Sequence, residues 1–225
     1  MRKRIARIVA NEKLLHALTS LVGRAAIGAI RTSNARSLGW LHGRLPLGSR
    51  VIGSKRIFVG RGFTAEGRVW MEAITEYAGE KFDPKIVIGE NFSASGTLHV
   101  SAVDSVKIGN RCLFGSNIFI ADHGHGDYRA KSDTQSDPGL PPAHRKLGGI
   151  APVSIGDRCW LGDNVVILSG VVLGDGCIVG ANSVVTSSMQ PGAICAGAPA
   201  VVIKMFSAQS KKWLRAGPKI ERDPK

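Results

Sequence analysis

Residues 155–190 decide the fold when they are written in sixes: IGDRCW LGDNVV ILSGVV LGDGCI VGANSV VTSSMQ. The first slot holds Ile155, Leu161, Ile167, Leu173, Val179 and Val185, all aliphatic, and the second is Gly at 156, 162, 174 and 180. A six-residue period matches neither a helix nor an alternating strand, and it is the signature of a parallel β-helix. Each hexapeptide supplies one short strand and one turn, and three complete a coil. The first-slot side chain points inward, and glycine in the second slot reads as a residue chosen for turn geometry.

The period also runs upstream. It starts at Ile88 (IGENFS), slips by two residues, and resumes at Ile108 (IGNRCL), with a weaker instance from Val59. It lapses between Gly124 and Ser154, where DTQSDPGLPPAHRKLGG is rich in proline, glycine and polar residues. An excursion over about 124–154, after which the same repeat resumes, reads as a functional loop rather than a linker. Counting in sixes puts Cys112, Cys159, Cys177 and Cys195 all in the fifth slot. One shared slot across separate coils is the behaviour of a small buried hydrophobe. No pair has zinc-ligand spacing, and nothing points to a disulfide.

The chain has 225 residues, 28 of them glycine and only 6% aromatic, which suits closely stacked backbone better than a bulky interior. Its net charge of +13 sits at the ends. Residues 1–56 carry twelve Lys/Arg against Glu12 alone, giving +11, and residues 204–225 add +5, which leaves 57–203 at −3. A mildly acidic middle argues against an enzyme whose central groove tracks nucleic-acid phosphates. The organisation expected is a basic, helical segment 1–50, a β-helix 51–206 and a basic C-terminal tail 207–225. The apolar run LLHALTSLVGRAAIGAI (14–30) is short for a membrane span and holds His16 and Arg24; Arg24 and the lack of a clear cleavage site also argue against a signal peptide. It reads equally as a basic helix on an anionic membrane surface or as a packing helix with a solvated face. Either way the expected compartment is the cytoplasm, with peripheral contact at the inner membrane face as the sharper option.

The segment IGDRCWLGDNVVILSGVVLGDGCIVGANSVVTSSMQPGAICAGAPAVVIK (155–204) resembles the C-terminal coils of hexapeptide-repeat acetyltransferases. The group is that of the maltose/galactoside, nodulation and bacterial lipopolysaccharide O-acetyltransferases, and DHGHG (122–126) resembles the last most. The likeness covers about residues 86–206. It implies an all-β, left-handed parallel β-helix, acetyl-CoA as co-substrate, no metal, and a homotrimer with active sites between neighbouring subunits. It also implies acetyl transfer to a saccharide hydroxyl in surface-polysaccharide biosynthesis.

Position by position, the resemblance makes His123 the catalytic base. A sugar hydroxyl is a poor nucleophile, and a neutral imidazole is a natural base near pH 7. It places the oxyanion donor at the backbone N–H of Asp163, whose own carboxylate is then incidental. Asp122 and Asp127 are candidate orienters of the histidine ring, and turn-forming acids otherwise. His125, two residues on, is left to contact the acceptor, as are Ser95 and Asn117. Ser95 stands where the sugar acetyltransferases have an acceptor-binding Asn, and Ser187 where relatives have Lys. Trp160 walls the pantetheine or sugar, or else anchors a subunit interface. Ala181, Thr186 and Pro199 match positions lining the CoA groove, and Lys204 a basic residue meeting phosphate. Two other classes share this fold pattern: a metal-dependent hydratase of the γ-carbonic-anhydrase type using His99, His123 and His125, and a non-catalytic β-helix that binds saccharide or membrane through its basic ends.

Overall fold

A computed structural model describes residues 14–128 and 135–216, with side chains from residue 22 onward. The chain is a left-handed parallel β-helix whose coils visit three sheets in turn. A six-stranded face stacks Arg50–Ile52, Val69–Ala73, Leu98–Ala102, Ile118–Ala121, Val166–Ile167 and Val184–Val185. A five-stranded face runs from Ile57–Val59 to Val172–Leu173. The third face begins at Thr64–Ala65 and ends in two antiparallel strands, Ala200–Ser207 and Lys212–Arg215. The segment after 206 thus begins as a strand of the sheet. A helix, Leu14–Ser37, lies at the N-terminal end, where Trp40 packs edge-on against Phe63.

First-slot side chains form the core, as the repeat predicts. Ile155 pairs with Leu173, Leu161 with Val179 and Ile167 with Val185, each eighteen residues on, and all are buried. Burying one such side chain contributes about 1.5–3 kcal/mol. Upstream, Ile88 pairs with Ile108, twenty residues on, which is the two-residue slip in the sequence.

Glycine in the second slot has a different cause from the one the sequence suggests. The left-handed backbone falls two slots later, at Asn91, Arg111, Asn117, Arg158, Asn164 and Asn182, with φ of 56–59°. Gly156 is needed because its neighbour coil is too close: a Cβ there would stand 2.7 Å from the Asp175 nitrogen and 2.5 Å from its Oδ1. That proximity lets third-slot side chains tie coil to coil. The Asp157 N–H donates to Asp175 Oδ1 (2.9 Å), Asn110 N–H to Asp157 Oδ1 (2.8 Å) and Glu90 N–H to Asn110 Oδ1 (2.8 Å).

The cysteine column also needs one correction. Cys112, Cys159 and Cys177 do share a slot, each thiol donating to a carbonyl of the next turn at 3.2 Å. Cys195 instead pairs with Val179, in the first-slot column, because the last coil is two residues short and Ala193 takes the cysteine slot. All four thiols are buried and free, and burial pushes Cys195 up to about 11. They are core side chains.

The excursion is anchored at both limbs. Gly124–His125 pairs antiparallel with Leu147–Gly148, a short 3₁₀ turn spans Pro142–His144, and the coil resumes at Val153. The hairpin Glu76–Lys81 braces it, with Tyr77 donating to the Ala143 carbonyl at 2.8 Å and Lys146 meeting Glu80 at 2.7 Å.

Candidate active site

His123 stands where the strand Ile118–Ala121 leaves the six-stranded face. Asp122 beside it is fully buried. Its carboxylate accepts the Val103 N–H (3.0 and 3.2 Å) and the Asp104 N–H (2.8 Å), which fix it in place. The remaining contact is to His123 Nδ1, at 2.7 Å. A carboxylate only accepts, so Nδ1 carries the proton and Nε2 is left as the basic nitrogen. Of the two acids flagged in the sequence, Asp122 makes the orienting bond. Asp127 ties the excursion together, its N–H donating to Ser136 Oγ at 2.9 Å. A pocket of about 210 Å³ opens at His123, walled by Tyr128, Gly148 and Leu168.

His125 has a different setting. Its Nδ1 lies 3.3 Å from Tyr77 Oη, its ring packs edge-on to Tyr77 and its backbone carbonyl accepts from Tyr128 Oη at 2.7 Å. His99 lies on the six-stranded face, stacked on Trp70 (4.2 Å) and edge-on to Phe119 (5.1 Å). Among the described residues its Nε2 is buried without a partner. Burial first, with His123 adding, lowers its pKa against an opposing pull from Glu72. The folded state therefore favours neutral His99, while the unfolded chain takes up a proton as pH falls through the ordinary value near 6.5. Stability contributed by neutral His99 is full above that value and declines below it. The difference in Tm between pH 7.5 and pH 5.5 should shrink in His99→Phe; an unchanged difference would contradict this. Among the described residues no three His, Cys, Asp or Glu side chains are grouped to hold a metal ion.

A second element lies on the eight-stranded face. Ser95, Trp160, Gly162, Asp163, Gly180 and Ala181 line one open groove of about 410 Å³, so four of the sequence candidates meet there. Trp160 is 50% exposed and forms a wall. Asp163 shows why its backbone is special. Its carboxylate is not incidental, since Oδ1 accepts the Ser116 N–H at 2.6 Å as one rung of the coil-to-coil ladder. The next rung would take the Asp163 N–H, but the third slot above is Ala181, which has no acceptor to offer. Among the described residues that N–H meets no other acceptor. A missing rung thus leaves one donor aimed at a groove floored by glycine. In the third-slot series Asp157, Asp163, Ser169, Asp175, Ala181, Ser187, Ala181 alone has no side-chain acceptor, a signal that is legible once the ladder is known.

Restoring the rung should remove the donor. Ala181→Asp is expected to lower kcat by about 10²–10³-fold, the effect of losing one oxyanion-type donor. Thermal stability should not fall, which separates the effect from misfolding; unchanged kcat would overturn the assignment.

The other candidates lie outside this groove. Asn117 is a left-handed corner residue whose Nδ2 donates to Asn164 Oδ1 at 3.0 Å, and Asn164 continues to Asn182 at 2.9 Å. Thr186, Pro199 and Lys204 are exposed on the C-terminal coils, Pro199 following a cis peptide bond. Sequence reasoning passed over Tyr77, whose hydroxyl reaches both limbs of the excursion from a hairpin outside the repeat.

His123 and Asp163 stand at opposite edges of one face. His123 borders Leu168 and Ser169, and Asp163 precedes the strand Val166–Ile167 on its other side. From Asp163 the chain turns at the left-handed corner Asn164 and crosses the face along Val166–Ile167 before it reaches Leu168 and Ser169.

A coiled stack with a histidine at the excursion and an open groove on a neighbouring face defines a hexapeptide-repeat protein. Residues 152–187 match the family described as bacterial transferase hexapeptide (six repeats). The Escherichia coli K12 protein WbbJ, named for O-acetyl transfer in lipopolysaccharide biosynthesis, is 41% identical over 131 residues, 58% of this chain and 66% of that protein. The galactoside O-acetyltransferase of the same organism is 29% identical over 70% of this chain and 71% of that one. The matched segment of the chain thus spans about two thirds of the length of these curated relatives. Among solved structures, the Bacillus cereus N-acyltransferase AntD, as a D94A mutant in complex with dTDP and coenzyme A, superposes with a TM-score of 0.58. It is 15% identical, over 79% of this chain and 90% of that one, and shows the fold alone. The chain is thus a hexapeptide-repeat protein similar to these O-acetyltransferases.

Proposed function

We propose that the protein transfers an acetyl group from acetyl-CoA to a hydroxyl of a saccharide in surface-polysaccharide biosynthesis. The observation that carries this is the His123–Asp122 pair, which fixes one tautomer and leaves Nε2 basic at the mouth of a pocket. The names of the relatives, one for lipopolysaccharide biosynthesis and one for galactosides, supply the acceptor class. Acetyl-CoA is a co-substrate here; the open groove beside Trp160 suits the pantetheine arm, with Thr186, Pro199 and Lys204 further along the donor's course. Ser95, Asn117 and His125 are assigned to the acceptor side.

In this reading Nε2 takes the hydroxyl proton as the acceptor oxygen attacks the thioester carbonyl. The negative charge that develops on the carbonyl oxygen is met by the Asp163 N–H. Collapse breaks the C–S bond, and the His123 imidazolium returns its proton to the leaving thiolate. No acyl-enzyme forms. On a single chain base and donor stand at opposite edges of one face, and in this reading the site is completed between copies of a homotrimer. Among the described residues no helix is long and apolar enough to cross a membrane. Action at the cytoplasmic side of the inner membrane, on a lipid-linked or anionic acceptor, fits the basic N-terminal segment.

The test is incubation with acetyl-CoA and a panel of nucleotide sugars and polysaccharide repeats, following CoA release and product mass. Acceptor-dependent CoA release with a product heavier by one acetyl group is expected. Stoichiometric zinc, cobalt or iron with no CoA binding would overturn the reading in favour of a metal hydratase.

A further inference from the structure

Among the described side chains, the helix Leu14–Ser37 is buried against the β-helix only in its last turn. Ala35 is fully buried there, Asn34 donates to the Leu45 and Pro46 carbonyls, and Arg31 pairs with Glu66. From Val22 to Ile30 no residue is buried. A stretch of helix without a tertiary face is marginal alone in water, so a surface outside the chain would stabilise it.

Two flanks of the helix differ in chemistry. On one, Arg24, Arg36 and Arg44 line a cleft of about 470 Å³ floored by Gly28 and Thr32. Among the described residues none of these three arginines has an acidic partner, whereas Arg31 does. On the other flank Ile27 and Ile30, 51% and 45% exposed, border Pro46 and Leu47, the latter 64% exposed. Val22 and Leu41 add further exposed apolar surface. Residues 1–56 together carry +11. Phosphate-sized anions fit a small-residue cleft between arginines, and the isoleucines beside it reach the acyl boundary. A second copy of the same helix is the poorer occupant, since it would bring these arginine clusters together.

We infer that this helix and the loop after it form a docking surface for an anionic phospholipid bilayer, Arg24, Arg36 and Arg44 taking lipid phosphates while Ile27, Ile30 and Leu47 enter the interface. This makes specific the membrane contact proposed above and uses none of the acetyl-transfer residues. The chain would lie on the bilayer rather than span it, in keeping with the described helix's hydropathy.

Co-sedimentation of the full chain with vesicles tests this without any acetyl transfer, so its failure is distinct from failure of the enzymatic reading. Vesicles of phosphatidylcholine with 30% phosphatidylglycerol should bind the chain and pure phosphatidylcholine should not, with binding weakened by 0.5 M salt. Arg24→Glu/Arg36→Glu/Arg44→Glu should lower the vesicle partition coefficient by about 100-fold or more, since each basic residue at such a surface contributes about fivefold. Ile27→Asp/Ile30→Asp should weaken binding at low and high salt alike. Circular dichroism and the Tm of the β-helix should be unchanged in both variants. Two outcomes would overturn the proposal: vesicle binding insensitive to both variants, or no vesicle binding while the arginine variant changes the molar mass in sedimentation velocity. The second would assign the surface to self-association.

Discussion

His123→Ala is expected to lower kcat/KM for acetyl transfer by about 10²–10⁴-fold, the range for loss of a positioned general base. The ring's side chain is 9% exposed and its hydrogen bond is to Asp122, so the β-helix itself should stay folded. CoA binding should be unaffected, because Nε2 is assigned to the acceptor hydroxyl and other residues line the groove at Trp160 and Ala181. Loss of kcat with an unchanged Kd for CoA therefore marks a chemical role. Retained transfer would remove His123 as the base and leave His125 to be tested in its place.

Asp122→Asn is the second large effect, and its direction follows from donor and acceptor counts. The carboxylate accepts from Val103 and Asp104 on one side and from His123 on the other, in a site with no solvent exposure. An amide cannot accept on both sides. With its NH₂ toward His123, Nδ1 becomes the acceptor and the proton moves to Nε2, which disables the base. With its oxygen toward His123, the NH₂ faces backbone N–H groups, at a cost of about 1–3 kcal/mol for unsatisfied buried donors. A fall in kcat of about 10²–10⁴-fold is expected, with a lower Tm in the second arrangement. Nitrogen-15 NMR of the ring reads the tautomer directly; a variant that kept Nδ1 protonated, full activity and full stability would contradict the orienting role.

The repeat made the architecture readable because a parallel coil stacks like on like. Ile155 over Leu173 and Leu161 over Val179 show as a period in the order of residues alone. The reason for Gly156 was not readable, since it depends on the distance to Asp175 in the next coil and not on local φ. Cys195 was misplaced for a related reason: counting in sixes assumes coils of constant length, and the last one is shorter. At the site, His123 was legible from its position before the excursion, and the Trp160, Asp163 and Ala181 grouping from the resemblance. The bond from His123 to Asp122 and the two N–H groups behind it emerge only in three dimensions, because aspartate before histidine in a turn carries no such information. Tyr77 lies outside the periodic segment, so no register pointed to it.

The proposed mechanism takes the base from one chain and the donor from its neighbour. Chains carrying His123→Ala keep the groove, and chains carrying Ala181→Asp keep the base. Each variant alone should be nearly inactive. Co-expressed in equal amounts, they should recover about a quarter of wild-type kcat, because random pairing at a head-to-tail interface joins an intact base to an intact groove at one contact in four. A mixed assembly as inactive as either variant, at unchanged oligomer mass, would place the whole site within one chain and contradict the account.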